Sequence, residues 1–162
     1  TVIKLVKDTG YPGMKILQFG FDSREESDYL PHNYIKNSVV YTGTHDNDTC
    51  IGWLKNAPKA TIEHAKEYLQ LTEEEGYNWG MMRGAWSSVA DMAIVPMQDL
   101  LGLGSETRLN MPSSLGTNWR WRVTKKELSK KLQKQIREIT RRYGRLCWQW
   151  DEKYEMPQKT QQ

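Results

Sequence analysis

Two short apolar runs, residues 14–21 and 39–44, are separated by a long polar interval, and that separation constrains the fold more than any other feature of the chain. Hairpins join antiparallel strands through a few residues, whereas a parallel crossover takes a dozen or more. The interval, residues 22–38, carries Pro31, Asn33 and Asn37 and reads as a long loop of crossover length. The first run is apolar at Met14, Ile16, Leu17, Phe19 and Phe21 and follows a Tyr11-Pro12-Gly13 turn, which predicts a strand over 14–21. The second is rich in β-formers, predicts a strand over 39–44, and runs into His45-Asp46-Asn47-Asp48.

Helical periodicity takes over beyond it. Ile62, Ala65 and Leu69 form one stripe and predict a helix over 59–71. Thr72 and Glu75 have capping-box spacing, which Gly76 weakens as a helix start. Met82, Ala85, Trp86, Val89 and Ala93 recur at helical intervals and predict a buried helix over 79–91. Residues 93–97 are strand-like but interrupted by Pro96, and residues 102–122 read as a structured loop. A second capping box, Thr124 with Glu127, predicts the start of a final helix with Leu128, Leu132, Ile136 and Ile139 inward and Gly144 ending it. Strand, loop, strand, helix, helix, strand, loop, helix is an α/β order. The 162 residues suit one domain but hold too few strands for a (β/α)8 barrel, which takes about 250 residues. The expectation is therefore a small open α/β domain or part of a barrel.

Composition removes several classes of function. With 38% hydrophobic and 27% charged residues the chain is neither a disordered tail nor a membrane protein, and no apolar run approaches the ~18 residues that span a bilayer. The net charge is +3, and its Lys/Arg surplus, concentrated in residues 120–145, reads as a solvated helix face in preference to a nucleic-acid surface. Cys50 and Cys147 match no metal-ligand spacing and read as free thiols of a cytoplasmic protein, with pairing as the alternative. Seven tryptophans suit either core filling or stacking on sugars and bases.

Three readings compete for His45-Asp46-Asn47-Asp48. Asp and Asn favour turns, and in an arbitrary sequence that outcome is the commonest. A divalent-cation loop would need spaced oxygen ligands and a glycine that this string lacks. The third reading is an active-site carboxylate beside a hydroxyl-binding imidazole, placed just past a strand where barrel enzymes do their chemistry.

The surrounding blocks bear on that choice. Pro12-Gly-Met-Lys-Ile-Leu-Gln-Phe19, Tyr29-Leu-Pro-His-Asn-Tyr34, Val40-Tyr-Thr-Gly-Thr-His-Asp-Asn-Asp-Thr49 with Gly52-Trp53, Gln98-Asp-Leu-Leu-Gly-Leu-Gly-Ser-Glu106, Arg108-Leu-Asn-Met-Pro112 and Asn118-Trp-Arg-Trp-Arg122 occur in this order. Together they resemble the 4-α-glucanotransferase (amylomaltase) family of α-amylase-like retaining enzymes, over about residues 10–145. The resemblance implies an α/β fold, the C-terminal portion of a (β/α)8 TIM-type barrel, with residues 1–147 in the barrel and 148–162 as a tail. It implies a parent enzyme that moves α-1,4-glucan segments between maltooligosaccharides through a covalent glycosyl-enzyme, without metal or organic cofactor and without nucleic-acid or membrane partners. Oligomeric state is left unassigned.

Asp46 matches the family's third aspartate, which holds sugar hydroxyls beside the reacting carbon, and His45 matches a histidine bonding the same sugar. Asp22 matches a position near the donor sugar, with a turn residue as the alternative, and Asn110 resembles a substrate-contacting asparagine. Ser113 stands where family members often have glycine. Trp119 and Trp121 are candidates for stacking on glucose, Arg108 and Glu106 for a structural ion pair, and His32 for a loop anchor. The nucleophile and the acid/base glutamate, whose usual block is Glu-Asp-Leu-Gly, have no match here; neither Asp8 nor Glu73–Glu75 lies in such a context. The alternative reading is therefore a non-catalytic carbohydrate- or partner-binding remnant of the fold.

Overall fold

The computed structural model describes residues 2–22 and 27–147. Three strands, β1 (Gly13–Ile16), β2 (Ser38–Tyr41) and β3 (Met92–Ile94), form a sheet in the order β1-β2-β3. Both pairings are parallel, with Ile16 opposite Tyr41 and Tyr41 opposite Ile94. The crossover expected from the spacing of the first two runs is present, and the chain is α/β.

Among the described residues six α-helices accompany the sheet: α1 (Val2–Thr9), α2 (Cys50–Asn56), α3 (Lys59–Leu69), α4 (Tyr77–Trp86), α5 (Met97–Leu100) and α6 (Lys130–Arg142). Val40, on one face of the sheet, enters a core with Leu17, Phe21, Ala65, Leu69, Met81, Met82 and Ala85. On α4, Asn78, Gly80, Met81, Met82, Gly84, Ala85 and Trp86 are all buried, so this helix is enclosed on nearly every side.

Several boundaries differ from expectation. The first strand stops at Ile16, and Leu17–Phe21 is a 3-10 helix. Past Ile16 the neighbouring strand has ended at Tyr41, so residues 17–21 have no ladder partner. They close their hydrogen bonds locally and bury Leu17, Gln18, Gly20 and Phe21, leaving Phe19 outward. The second strand ends at Tyr41 and not at Thr44.

The fourth helix ends at Trp86 rather than Asp91. The Ser87 and Ser88 hydroxyls donate back to the carbonyls of Gly84 and Ala85, while the Arg145 guanidinium donates to the carbonyls of Trp86, Ser88 and Ala90. These bonds take the chain out of the helix, and Val89, expected in the stripe, is exposed. Thr72 accepts from the Glu75 N–H as its spacing suggested, yet only a turn follows.

The last helix is capped at Ser129 and not at Thr124, five residues late. The Thr124 N–H donates to the Glu127 carboxylate, but that bond closes an isolated turn. Ser129 is the N-cap, accepting from the Leu132 N–H at 3.1 Å. Leu132 and Ile139 are then buried, and Leu128 is left exposed before the helix. Gly144, at φ +66°, terminates it: its N–H donates to the Arg141 carbonyl and that of Arg145 to the Thr140 carbonyl. This is a Schellman closure, for which a residue without Cβ is favoured. The Lys and Arg side chains of α6 sit on its exposed faces, as read from the sequence. The expected tail, 148–162, lies outside the described residues.

Candidate active site

The loop from Thr42 to Thr49 leaves the C-terminal end of β2 and feeds α2. At its tip the Asn47 N–H donates to the Thr44 carbonyl at 3.1 Å, closing a turn with His45 and Asp46 at its corners. Asn47 Oδ1 accepts from both the N–H and the hydroxyl of Thr44, at 2.9 and 2.7 Å. The turn reading and the active-site reading are thus compatible: the turn presents the two side chains.

A second segment, 62 to 64 residues later in the chain, meets that tip. The Asn110 amide nitrogen donates to Asp46 Oδ1 at 2.6 Å, and the Asn110 N–H donates to the His45 carbonyl at 3.1 Å. Arg108 donates to the Asp46 carbonyl at 2.6 Å and to the Asn110 carbonyl at 2.9 Å, clamping the two segments together. The other Asp46 oxygen faces His45 Nε2 at 3.4 Å. The Asp46 side chain is 48% exposed. Trp119, itself at φ +64°, lays its ring against His45 with centroids 5.1 Å apart.

His45 and Asp46 border an open cleft of about 700 Å³ at the C-terminal ends of the strands, and Asn110, Arg108 and Trp119 hold them from behind. Its floor is the sheet face opposite Val40, through Met14, Ile16, Tyr41 and Ile94, and its rim includes Gly43 to Asn47, Leu109 and Trp121. Asp46 is the one carboxylate among the described lining residues. An apolar floor with a few convergent polar groups suits a ligand carrying both apolar faces and hydroxyls.

Asp48 points elsewhere. Its carboxylate accepts from the Thr49 N–H at 2.8 Å and the Ser105 hydroxyl at 2.7 Å, and Gln18 Nε2 donates to its carbonyl at 2.9 Å. Thr49 caps α2 by accepting from the Gly52 N–H. A Cβ at Gly52 would collide with Ser105 Oγ and the Asp48 carboxylate, so glycine is what allows the helix to start against this cluster. Among the described residues no group of three or more His, Cys, Asp or Glu is arranged to hold a metal ion.

The structure therefore brings together three of the four expected site residues, His45, Asp46 and Asn110. Asp22 follows the 3-10 helix and is not among the residues lining the cleft. Arg108 pairs with two carbonyls, whereas the Glu106 carboxylate accepts from the Gly104 N–H, so the expected ion pair is replaced by separate bonds to the backbone. His32 is a loop anchor: its ring nitrogen lies 2.9 Å from the Tyr68 hydroxyl. Trp86 is buried in the core and Trp53 and Trp79 pack against it, while Trp119 and Trp121 sit at the site. Cys50 is buried and Cys147 exposed, both as free thiols.

Asp99 on α5 is a polar group that spacing did not reveal. It is 1% exposed, and its carboxylate accepts from the Thr42 hydroxyl and the Cys50 N–H. Burial holds its carboxyl above the usual carboxylate range, although the bonds from Thr42 and Cys50 pull it down. A carboxyl raised on folding contributes stability that is complete below its unfolded value of about 4 and is lost as pH rises through the folded value. The urea midpoint of the wild type should therefore fall relative to that of Asp99→Asn over the pH range above about 4. Midpoints running parallel across that range would contradict the shift.

The model of the 4-alpha-glucanotransferase family matches residues 1–129. The chain belongs to this family. It is 54% identical over 144 residues to a 4-alpha-glucanotransferase of Clostridium butyricum, covering 88% of this chain and 30% of that protein. It is 47% identical over 148 residues to the chloroplastic/amyloplastic 4-alpha-glucanotransferase of Solanum tuberosum, covering 90% of this chain and 26% of that protein. Among solved structures, the amylomaltase from Streptococcus agalactiae in complex with acarbose superposes with a TM-score of 0.85 at 37% identity, over 89% of this chain and 29% of that one. The chain thus spans less than a third of the length of these relatives, and its parallel strands and helices reproduce the corresponding part of the amylomaltase fold. No helix among the described residues is long and apolar enough to cross a membrane.

Proposed function

We propose that this chain is the C-terminal barrel portion of a 4-α-glucanotransferase that moves α-1,4-glucan segments between maltooligosaccharides with retention. The described residues up to 147 belong to the barrel in this reading. The observation that carries it is Asp46. Its carboxylate has one oxygen oriented by Asn110 at 2.6 Å and the other beside His45, and it stands at the rim of an open cleft past the strand ends.

Retaining transfer uses a nucleophilic carboxylate and a carboxylic acid about 5–5.5 Å apart. Asp46 matches the third aspartate of the resembling family, so in this reading it accepts hydrogen bonds from sugar hydroxyls next to the reacting carbon; it is the one carboxylate among the described lining residues. Those hydroxyls become better donors as positive charge develops on the ring, so the interaction is stronger in the transition state than in the ground state. His45 donates to the same sugar, Asn110 contacts it beside Asp46, and Asp22, outside the described lining of this cleft, is assigned to the donor sugar on the resemblance alone. The nucleophile and acid come from polypeptide outside these residues. The free thiols Cys50 and Cys147 accord with a cytoplasmic location.

The test exchanges the matching segment of the Clostridium butyricum relative for this chain and incubates the chimera with maltotriose. Glucose and longer oligosaccharides should appear by chromatography, while this chain alone yields none. A chimera that unfolds cooperatively yet transfers nothing would sink the reading and favour the binding remnant. Redistribution by this chain alone would show that the two further carboxylates are dispensable.

A further inference from the structure

The turn that carries His45 and Asp46 is closed by its own bonds, but those fix its shape and not its direction. Direction is set by Arg108 and Asn110 at the tip and, at the base, where the loop joins rigid structure: at Thr42 just past β2 and at Cys50, the first residue of α2. Both ends bond to one side chain. Asp99 Oδ2 accepts from the Thr42 hydroxyl at 2.6 Å, and Asp99 Oδ1 accepts from the Cys50 N–H at 2.7 Å. Thr42 and Cys50 are both fully buried, so neither donor has water as a substitute. Asp99 is itself anchored: Asn78, on the enclosed helix α4, donates to its carbonyl at 2.7 Å.

A buried carboxylate with no cation beside it among the described residues is an expensive way to fill a core. A carboxylate here does what an apolar side chain cannot, accepting from two donors that approach from opposite ends of one loop. We propose that Asp99 is a positioning residue of Asp46, acting with Asn110 and Arg108 at the tip: it pins both ends of the 42–50 loop and so helps set how the Asp46 carboxylate enters the cleft. Its catalytic consequence rests on the role assigned to Asp46 above; its hold on the loop does not.

The test is amide hydrogen exchange on this chain, for the wild type and for Asp99→Ala, Asp99→Asn and Thr42→Val. In Asp99→Ala the amides of residues 43–47 and of Cys50 should exchange at least about tenfold faster, with those of Ala65 and Met82 changed less than about twofold. Asp99→Asn should restore most of the protection, because its amide oxygen accepts from the Cys50 N–H and its nitrogen donates to Thr42 Oγ1. Thr42→Val cuts one tie and should loosen residues 43–47 while Cys50 stays protected. If Asp99→Ala does not fold, the other two variants decide.

Acceleration spread evenly through α3 and α4, or a Thr42→Val loop exchanging like the wild type, would overturn the proposal. In the chimera, Asp99→Ala should lower kcat roughly 10- to 100-fold, with KM within about threefold and recovery in Asp99→Asn. Full turnover in Asp99→Ala, where Asp46→Asn is inactive, would also overturn it. Normal transfer in Asp46→Asn would instead remove the role of Asp46 and leave the exchange result standing.

Discussion

Replacing Asp46 by Asn in the chimera should lower kcat for maltotriose disproportionation by about 100- to 1,000-fold, equivalent to ~2.7–4 kcal/mol of transition-state stabilisation. KM should move far less, because the carboxylate acts on charge that develops only as the glycosidic bond breaks. Folding should be nearly untouched. The side chain is 48% exposed, and the oxygen of an asparagine amide still accepts from Asn110, which places the stability change within about 1 kcal/mol. Initial-rate kinetics and urea unfolding on the same preparation separate the two effects. A variant that keeps its kcat would take Asp46 out of the catalytic set, and one that loses both kcat and stability would make it a structural residue.

The second large effect is on stability. Phe21→Ala should destabilise this chain by about 3–5 kcal/mol, the range for deleting a buried phenylalanine. Phe21 is fully buried, with the rings of Trp53, His64 and Tyr68 each 5.9 Å away, so a cavity there is walled by stiff aromatic groups. Phe19, two residues earlier on the same 3-10 helix, is 50% exposed at the cleft, and Phe19→Ala should cost less than about 1 kcal/mol. Denaturant titration of both variants checks the contrast. Equal losses would mean that Leu17–Phe21 is a strand presenting both rings alike, contrary to the structure.

That pair of phenylalanines shows where the local pattern stops being informative. Apolar residues at 17, 19 and 21 alternate as a strand would, and nothing in the run itself distinguishes extended chain from a tight helix. The difference lies in β2, whose end at Tyr41 leaves residues 17–21 without ladder partners. The late start of α6 is similar. Thr124-Glu127 and Ser129 are both sound caps, and the choice falls to the one that turns Leu132 and Ile139 inward. The early end of α4 depends on Arg145, 59 residues away from the Trp86 carbonyl it captures.

The cleft divides in the same way. The parallel crossover, the helical stripes on α3 and α4, the solvated face of α6 and the placement of His45-Asp46 just past a strand were all determined by the sequence alone. Each depends on periodicity or on contacts a few residues apart. Asn110 was named only through a resemblance, Arg108 was expected to pair with Glu106, and Asp99 was not singled out, because each acts on a segment 49 or more residues away. A carboxylate reads the same in sequence whether it is solvated at a rim, as Asp46 is, or buried beneath the loop that carries that rim, as Asp99 is. Only the tertiary structure decided between them, because burial and hydrogen-bond partners belong to segments that meet in space and have no trace in local spacing.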